Sequence, residues 1–183
     1  LVTYGIKPTA PETGFGYIEV GAQLDDRGGC QVLRFVEKPD MATAQQYIDS
    51  GRFLWNSGMF CFTAASLIRE LQTHAPDLLE KARNCVALSS LQNNSGTLLH
   101  ELHGEAFSAL PDISIDYAVM ERSAQVAVVP ACFDWSDIGS WNVLRELVAP
   151  DAEQNRALGD AIFVNSRNTY VQSQGRLVAT VGV

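Results

Sequence analysis

Three polar side chains stand beside apolar segments and could together hold a sugar phosphate. Glu37 and Lys38 end the run Phe35-Val36-Glu37-Lys38-Pro39, and Asn56 lies in the run Trp55-Asn56-Ser57-Gly58-Met59-Phe60. A carboxylate accepts hydrogen bonds from neighbouring hydroxyls, and a carboxamide both donates and accepts them. A lysine ammonium neutralises a phosphate as a compact point charge. These residue types therefore favour a polar ligand that carries both hydroxyls and a phosphate.

The same residues also have ordinary structural explanations. Glu37 and Lys38 could be a solvated ion pair just before the stop that Pro39 imposes on a strand. Asn56 could be a turn residue covered by a half-buried tryptophan. Gly58 fits a binding site, because a residue without a side chain lets ligand and backbone approach closely. Both interpretations stay open on these residues alone.

Two glycines lie at alternate positions in Thr13-Gly14-Phe15-Gly16-Tyr17. A dinucleotide fingerprint requires a helix after its glycines, and here a strand is predicted to follow, so dinucleotide binding is not expected. Backbone N–H groups near Gly14 and Gly16 could instead face a sugar or a phosphate. The alternative is a plain entry into a hairpin.

Two aspartates are further candidates. Asp137 precedes a helix that Ser140 can cap, and its carboxylate could bind Mg²⁺ over a phosphate, because this cation prefers oxygen ligands. It could equally be a turn residue that accepts hydrogen bonds from its own backbone. Asp116 could join the site or simply favour a helix N-terminus electrostatically. His100 and His103 have no third histidine or cysteine to complete a zinc site.

The elements that must position these residues alternate between short strands and helices of ~10 residues, which indicates an α/β layered sheet. Strands are predicted over 17–21 and 32–37 as an antiparallel pair, over 59–62 as a buried strand, and over 126–130. Helices are predicted from Asp40 to Gly51, from Thr63, from Pro76, over 114–122 and over 140–148.

The domain prediction is one unit over residues 1–150 and a β-rich tail over 151–183. The tail carries short strand patterns at 161–164, 169–172 and 177–181, separated by Asn, Ser and Gly turns. The polar segment 88–104 is predicted to be an irregular surface excursion.

Composition excludes several classes of partner. With 183 residues, 46% of them hydrophobic, the chain can bury a substantial core. Its net charge of -8 would repel a phosphate backbone, so no nucleic acid is expected. No apolar run approaches the ~18 residues of a membrane span, so no membrane is expected either. Four dispersed cysteines without a C-x-x-C pair indicate reduced thiols, which predicts a cytoplasmic protein.

Five ordered segments resemble the mannose-1-phosphate guanylyltransferases of the sugar-phosphate nucleotidyltransferase superfamily. The segments are Pro11-Glu12-Thr13-Gly14-Phe15-Gly16-Tyr17-Ile18, Phe35-Val36-Glu37-Lys38-Pro39, Trp55-Asn56-Ser57-Gly58-Met59-Phe60, Ser114-Ile115-Asp116-Tyr117-Ala118-Val119-Met120-Glu121 and Trp135-Ser136-Asp137-Ile138-Gly139-Ser140-Trp141. The resemblance implies the C-terminal part of a Rossmann-like layered mixed sheet, followed by a short β-rich tail.

The resemblance also implies a reaction, in which GMP is transferred from GTP to mannose 1-phosphate to give GDP-mannose and pyrophosphate. It implies that Glu37 and Asn56 hold mannose hydroxyls, that Lys38 binds the sugar phosphate and that Gly16 contacts the sugar through its backbone. Asp137 would bind the catalytic Mg²⁺. The same resemblance makes Lys38 and Asp137 the catalytic residues, and it adds two residues to the substrate site, Gly14 and Asp116.

One departure from the family is clear, because its Gly-rich Arg/Lys signature for the nucleotide has no counterpart in this sequence. Both ends of the chain also fall within β-prone runs. We therefore expect an expressed fragment that is inactive alone and that tends to form homo-oligomers through an exposed sheet edge. The alternatives are a non-catalytic sugar-nucleotide sensor and a bifunctional parent that also carries phosphomannose isomerase activity.

Overall fold

The computed structural model describes residues 1–94 and 96–183. They form two compact units, Leu1–Phe133 and Asp134–Val183. The sequence predicts the boundary at a later position, after residue 150. Strands and helices alternate along the first unit, so the predicted mixed α/β fold class is confirmed.

The first unit contains most of the regular structure. Its strands are β1 (Val2–Ile6), β2 (Tyr17–Gln23), β3 (Cys30–Val36), β4 (Phe53–Cys61), β5 (Ser90–Asn94), β6 (Thr97–Glu101) and β7 (Ala127–Pro130). Its helices are α1 (Met41–Ser50), α2 (Ala64–His74), α3 (Pro76–Leu88) and α4 (Gly104–Ser108), with a π-helical segment over Asp116–Met120.

Five strands close into a barrel in the order β1-β4-β2-β3-β7. The pairing is mixed, since β7 runs parallel to β1 and the other neighbouring pairs are antiparallel. The sequence predicts a layered sheet, but the register shifts between Thr3 and Gly5 in β1 and between Glu19 and Val20 in β2. Such irregularities increase the local twist of a strand. The added twist allows β7 to pair with both β1 and β3, which closes the sheet.

An apolar cluster fills the interior of this unit. Ile18 and Val128 are fully buried, and Phe35, Met120 and Val126 are nearly so. In β2, Ile18 and the partly buried Val20 join the cluster from positions two residues apart, as the period of a strand requires. Burying one such side chain completely contributes about 1.5–3 kcal/mol relative to leaving it exposed. The cluster therefore joins the barrel to the π-helical segment.

Helices α1 and α2 begin at the capping residues that the sequence predicts. The Asp40 side chain accepts a hydrogen bond from the Thr43 backbone N–H (2.8 Å), and this bond lowers the pKa of Asp40. Helix α1 ends at Gly51, whose φ of 65° is left-handed and suits glycine. The Thr63 hydroxyl accepts from the Ser66 N–H (3.2 Å) at the start of α2. The predicted start of α3 at Pro76 is also confirmed. Proline suits the first turn of a helix, where its missing N–H removes no helical hydrogen bond.

Strands β5 and β6 correct the prediction of an irregular segment over 88–104. They form an antiparallel hairpin whose register pairs Leu91 with His100. Backbone pairing does not require an apolar period, so a polar composition can conceal a hairpin from pattern analysis. Ser95, which lies in the turn segment of this prediction, falls outside the described residues.

Two further predictions are corrected in detail. Residues 59–62 are not a separate buried strand, because β4 continues to Cys61 and the Met59 side chain is 39% exposed. The predicted helix over 114–122 is a short π-helical segment instead. The Glu121 N–H donates to the Asp116 carbonyl, five residues earlier, at 2.9 Å.

The second unit contains one short helix and four short strands. They are α5 (Trp141–Glu146), β8 (Arg156–Leu158), β9 (Ala161–Val164), β10 (Tyr170–Gln172) and β11 (Val178–Val181). Strand β10 pairs in parallel with β8, and β11 pairs in parallel with β9. The predicted tail strands are thus present. Across both units, the described helices include none with the length and hydropathy to cross a membrane.

Gly5 provides a test of the barrel closure. An alanine Cβ there would lie 2.6 Å from Leu54 Cδ1 and 2.9 Å from Val128 Cγ2. We expect Gly5→Ala to lower the free energy of unfolding by about 1–3 kcal/mol, because overpacking shifts side chains and backbone. Urea denaturation of the chain measures the change. Gly104→Ala is the matched control, since its Cβ would meet nothing within 4 Å. Equal stability of the two variants would contradict a tightly packed seam at Gly5.

Candidate functional site

The corner after β3 is held by two long-range hydrogen bonds. The Glu37 N–H donates to Glu121 Oε1 (2.8 Å), and the Lys38 N–H donates to the Phe15 carbonyl (3.2 Å). Lys38 has a φ of 49°, a left-handed conformation that is uncommon for a residue with a side chain. Pro39 then prevents the strand from continuing. The direction of both charged side chains is therefore set by contacts outside β3.

Glu37 and Lys38 form an ion pair with very different exposures. Lys38 Nζ lies 2.8 Å from Glu37 Oε1, and the lysine side chain is 56% exposed while the glutamate side chain is 8% exposed. The hydrogen bond to Glu37 raises the pKa of Lys38, and the nearby charge of Asp116 raises it further. Lys38 is thus a charged and accessible cation above a buried carboxylate.

The second oxygen of Glu37 is buried and lacks a hydrogen bond within the described part of the chain. An alanine Cβ at residue 16 would lie 2.5 Å from this Oε2 atom. The oxygen can occupy its position only because Gly16 has no side chain. Buried carboxylate oxygens are almost always hydrogen-bonded, and an orphan acceptor requires an explanation. A hydroxyl donor from a bound ligand would supply the missing bond.

Asn56 connects three other segments through its amide. Its Oδ1 accepts from Thr3 Oγ1 and from the Gly58 N–H, both at 3.1 Å. Its Nδ2 donates to Asp116 Oδ1 at 3.1 Å. The Asn56 backbone N–H also donates to the Gly16 carbonyl (2.8 Å). Strand β4 therefore links β1, the glycine loop and the π-helical segment at this residue.

The π-helical segment presents Asp116 toward the same region. Segments of this type are rare and occur frequently at functional sites. Asp116 is partly buried, and its Oδ2 atom has no hydrogen bond among the residues that the structure describes. Asp116 and Glu37 thus provide two carboxylates whose charges act on the Lys38 ammonium.

The aromatic residues behind the site support its loop. Phe15 packs edge-on against Trp55, with ring centroids 5.1 Å apart. Trp55 is paired with Tyr17 across β4 and β2, so both lie on the opposite face from Asn56 and Gly16. Burial raises the pKa of Tyr17. This packing fixes the strands on which the polar residues stand.

The structure gathers most of the candidate residues that the sequence predicts. Those brought together in the first unit are Gly16, Glu37, Lys38, Asn56 and Asp116. Gly14 lies in the same loop, where an added Cβ would meet nothing within 4 Å. Asp137 belongs to the second unit.

Asp137 is an exposed carboxylate in the turn before α5. The Gly139 N–H donates to its backbone carbonyl (2.8 Å), and Ser140 caps α5 by accepting from the Val143 N–H (3.4 Å). The described residues contain no group of three or more His, Cys, Asp or Glu side chains that could hold a metal. One free carboxylate still suits Mg²⁺, which commonly takes one or two carboxylates and completes its octahedron with water and substrate phosphates.

Thr3 and Glu121 are site residues that sequence reasoning missed. Thr3 is fully buried in β1 and contacts Asn56, and Glu121 holds the backbone of Glu37. A polar residue within an apolar strand is a weak signal for Thr3. For Glu121 the only signal is its place at the end of the Asp116 segment.

The comparisons with known proteins identify the family of this chain. The family model described as nucleotidyl transferase matches residues 1–154. A mannose-1-phosphate guanylyltransferase of Klebsiella pneumoniae is 46% identical over 185 residues, which cover 100% of this chain and 38% of the relative. A xanthan biosynthesis protein, XanB, of Xanthomonas campestris is 44% identical, with the same 100% and 38% coverage.

A solved structure is similar across nearly the whole chain. It is described as mannose-1-phosphate geranyltransferase from Thermus thermophilus, and it matches with a TM-score of 0.74 and 33% identity over 99% of this chain and 50% of that chain. The predicted resemblance is confirmed by these matches. The chain spans about 38% of the length of the curated relatives. Because the family model covers most of its residues, the chain belongs to the nucleotidyl transferase family.

Proposed function

We propose that this chain provides the sugar-phosphate side of a mannose-1-phosphate guanylyltransferase. The parent protein would transfer GMP from GTP to mannose 1-phosphate, giving GDP-mannose and pyrophosphate. Family membership and the names of the relatives support this proposal. The structural observation that carries it is the buried, unpaired Glu37 Oε2 beside Gly16, with the exposed Lys38 ammonium adjacent.

Each proposed role follows from the chemistry of the group. Glu37 Oε2 accepts a hydrogen bond from a sugar hydroxyl, and the bare backbone at Gly16 makes room for this carboxylate oxygen. Lys38 neutralises the sugar phosphate. Asn56 and Asp116 complete the polar wall of the same site, and Gly14 contributes backbone to the loop. The site thus combines acceptors for hydroxyls with one cation for the phosphate.

The reaction needs alignment more than covalent catalysis. A phosphate oxygen of the sugar phosphate attacks the α-phosphorus of GTP, a new P–O bond forms, and the bond to pyrophosphate breaks. No protein nucleophile is required, since the sugar phosphate itself is the nucleophile. Lys38 contributes by holding that phosphate in line and by reducing its repulsion from the triphosphate.

Asp137 is proposed as the carboxylate of this chain that binds Mg²⁺. The cation would neutralise phosphate charge while Asp137 supplies one of its oxygen ligands. The remaining ligands would be phosphate oxygens, water and groups outside this chain, because Asp137 alone cannot hold the ion tightly.

Gly16 gives a sharp test of the sugar site. We expect Gly16→Ala in the full-length protein to raise the KM for mannose 1-phosphate at least about tenfold, because a Cβ displaces Glu37 Oε2 from the position in which it accepts the sugar hydroxyl. Steady-state kinetics with each substrate varied in turn measures the effect. Gly104→Ala is the control, since an added Cβ there would meet nothing within 4 Å and the residue has no part in the site. A larger rise in the KM for GTP than for the sugar phosphate would contradict the assignment.

Glu37→Gln tests the carboxylate itself. A hydrogen bond to a charged group contributes about 1.5–3 kcal/mol, so this change should weaken mannose 1-phosphate binding roughly tenfold to a hundredfold. GTP binding should change little. Isothermal titration of the full-length variant against each ligand separates the two effects. Asp26→Asn removes the same charge from an exposed turn and serves as control. Equal losses for both ligands would argue against a sugar site at Glu37.

We also expect the 183-residue chain to have no turnover when it is alone. The sequence holds no Gly-rich Arg/Lys signature for GTP, so the α-phosphorus is not positioned for attack. Purified chain, GTP, mannose 1-phosphate and Mg²⁺ should give no GDP-mannose by chromatography, while the full-length protein does. Product formed by the chain above the level of a Lys38→Ala variant would overturn this prediction.

A further inference from the structure

The Asn56 side chain has little capacity left for a ligand. A carboxamide offers two acceptor lone pairs and two N–H donors. Oδ1 accepts from the Gly58 N–H and is enclosed by the Thr3 hydroxyl, whose single hydrogen is shared with the Met59 carbonyl (3.2 Å), and one Nδ2 hydrogen is directed to Asp116. The residue is only 9% exposed. A sugar hydroxyl would therefore find a single N–H group at this side chain.

The orientation of this amide is fixed by its neighbours. Backbone N–H groups can only donate, so the atom that faces the Gly58 N–H must be the amide oxygen. The nitrogen then faces the Asp116 carboxylate, where a donor is required. The Thr3 hydroxyl can donate or accept, so it is compatible with this orientation without deciding it, and it fills a fully buried position that no ligand can reach. The Asn56 amide nitrogen therefore donates to Asp116 Oδ1 and leaves Asp116 Oδ2 without a donor from Asn56.

Asp116 is left with a free acceptor in the site. Its Oδ1 is held by Asn56, whereas Oδ2 has no hydrogen bond within the described part of the chain. Its charge is near enough to raise the pKa of Lys38 together with Glu37. Unlike Asn56, Asp116 is partly exposed. The free Oδ2 thus resembles Glu37 Oε2, since both are carboxylate acceptors beside the same ammonium.

We propose that Asp116 contacts the sugar and that Asn56 is a positioning residue. In this arrangement Thr3 and Gly58 orient the Asn56 amide, Nδ2 holds Asp116 Oδ1, and Asp116 Oδ2 accepts a hydrogen bond from a sugar hydroxyl. Two carboxylates, from Asp116 and Glu37, then recognise hydroxyls. This inference rests on the proposed function, and it reassigns the hydroxyl contact from the amide to the carboxylate.

A double-mutant cycle in the full-length protein tests the inference. The variants are Asn56→Ala, Asp116→Ala and their combination, and the measurement is the Kd of mannose 1-phosphate by isothermal titration. If Asn56 acts through Asp116, each single change weakens binding roughly tenfold or more, and the combination is no weaker than Asp116→Ala alone. Multiplicative losses in the combination would overturn the inference.

Deoxy analogues give a readout that a general structural role would not change. Wild-type protein should bind one monodeoxy analogue of mannose 1-phosphate more weakly than the parent sugar. Asp116→Ala should bind that analogue and the parent sugar equally, because the hydroxyl has lost its acceptor. If Asn56→Ala loses this discrimination while Asp116→Ala keeps it, the amide contacts the sugar and the inference fails.

Thr3→Val covers the case in which Asn56→Ala does not fold. Thr3 is buried and its hydroxyl contacts only Asn56 Oδ1 and the Met59 carbonyl among the described residues, so a loss of sugar affinity in this variant is transmitted through β4. We expect a several-fold loss in the wild-type background and none in the Asp116→Ala background. The Kd of GTP should be unchanged in both. Loss of equal size in the two backgrounds would refute the chain of contacts.

Glu37→Gln separates this inference from the proposed function. If Glu37→Gln, Asp116→Ala and Asn56→Ala all leave the Kd of mannose 1-phosphate unchanged, the assignment of the sugar site is wrong. If Glu37→Gln weakens binding while the losses at Asn56 and Asp116 multiply, the site stands and only the positioning role fails.

Discussion

Strand β4 lies between β1 and β2, and the hydrogen bonds along its two edges fix the position of Asn56, the residue that connects most of the site. Its residue Asn56 bonds the glycine loop through the backbone and reaches β1 and the π-helical segment through the side chain. A one-residue slip would turn Asn56 to the aromatic face and Trp55 to the polar face. The register of this strand is thus the constraint on which the site depends.

The charges of the site are unevenly buried, and this unevenness explains its chemistry. Glu37 is nearly buried and uses one oxygen for Lys38, while the ammonium itself stays open to solvent. A buried carboxylate with an unused oxygen is costly without a donor. Under the proposed function, the sugar hydroxyls would supply these donors and the sugar phosphate would meet the exposed cation. The protein arranges acceptors in the interior and charge neutralisation at the surface.

Local features of this fold could be predicted from sequence, whereas features set by long-range pairing could not. The caps at Asp40 and Thr63 depend on neighbouring residues, so their residue types predict them. The polar character of Glu37, Lys38 and Asn56 also identified the site. Barrel closure depends on how β7 pairs with β1 and β3, and no local pattern encodes that choice. The role of Thr3 likewise follows from register.

Lys38 illustrates a compromise between folding and recognition. Its left-handed backbone, with φ of 49°, would suit glycine better, and conformations of this kind cost of the order of 1–3 kcal/mol for other residues. Glycine, however, would remove the ammonium. Under the proposed function, a glycine at this corner would relieve the backbone cost and lose the cation for the sugar phosphate. The opposing demands make this position a sensitive marker of whether a relative still uses the site.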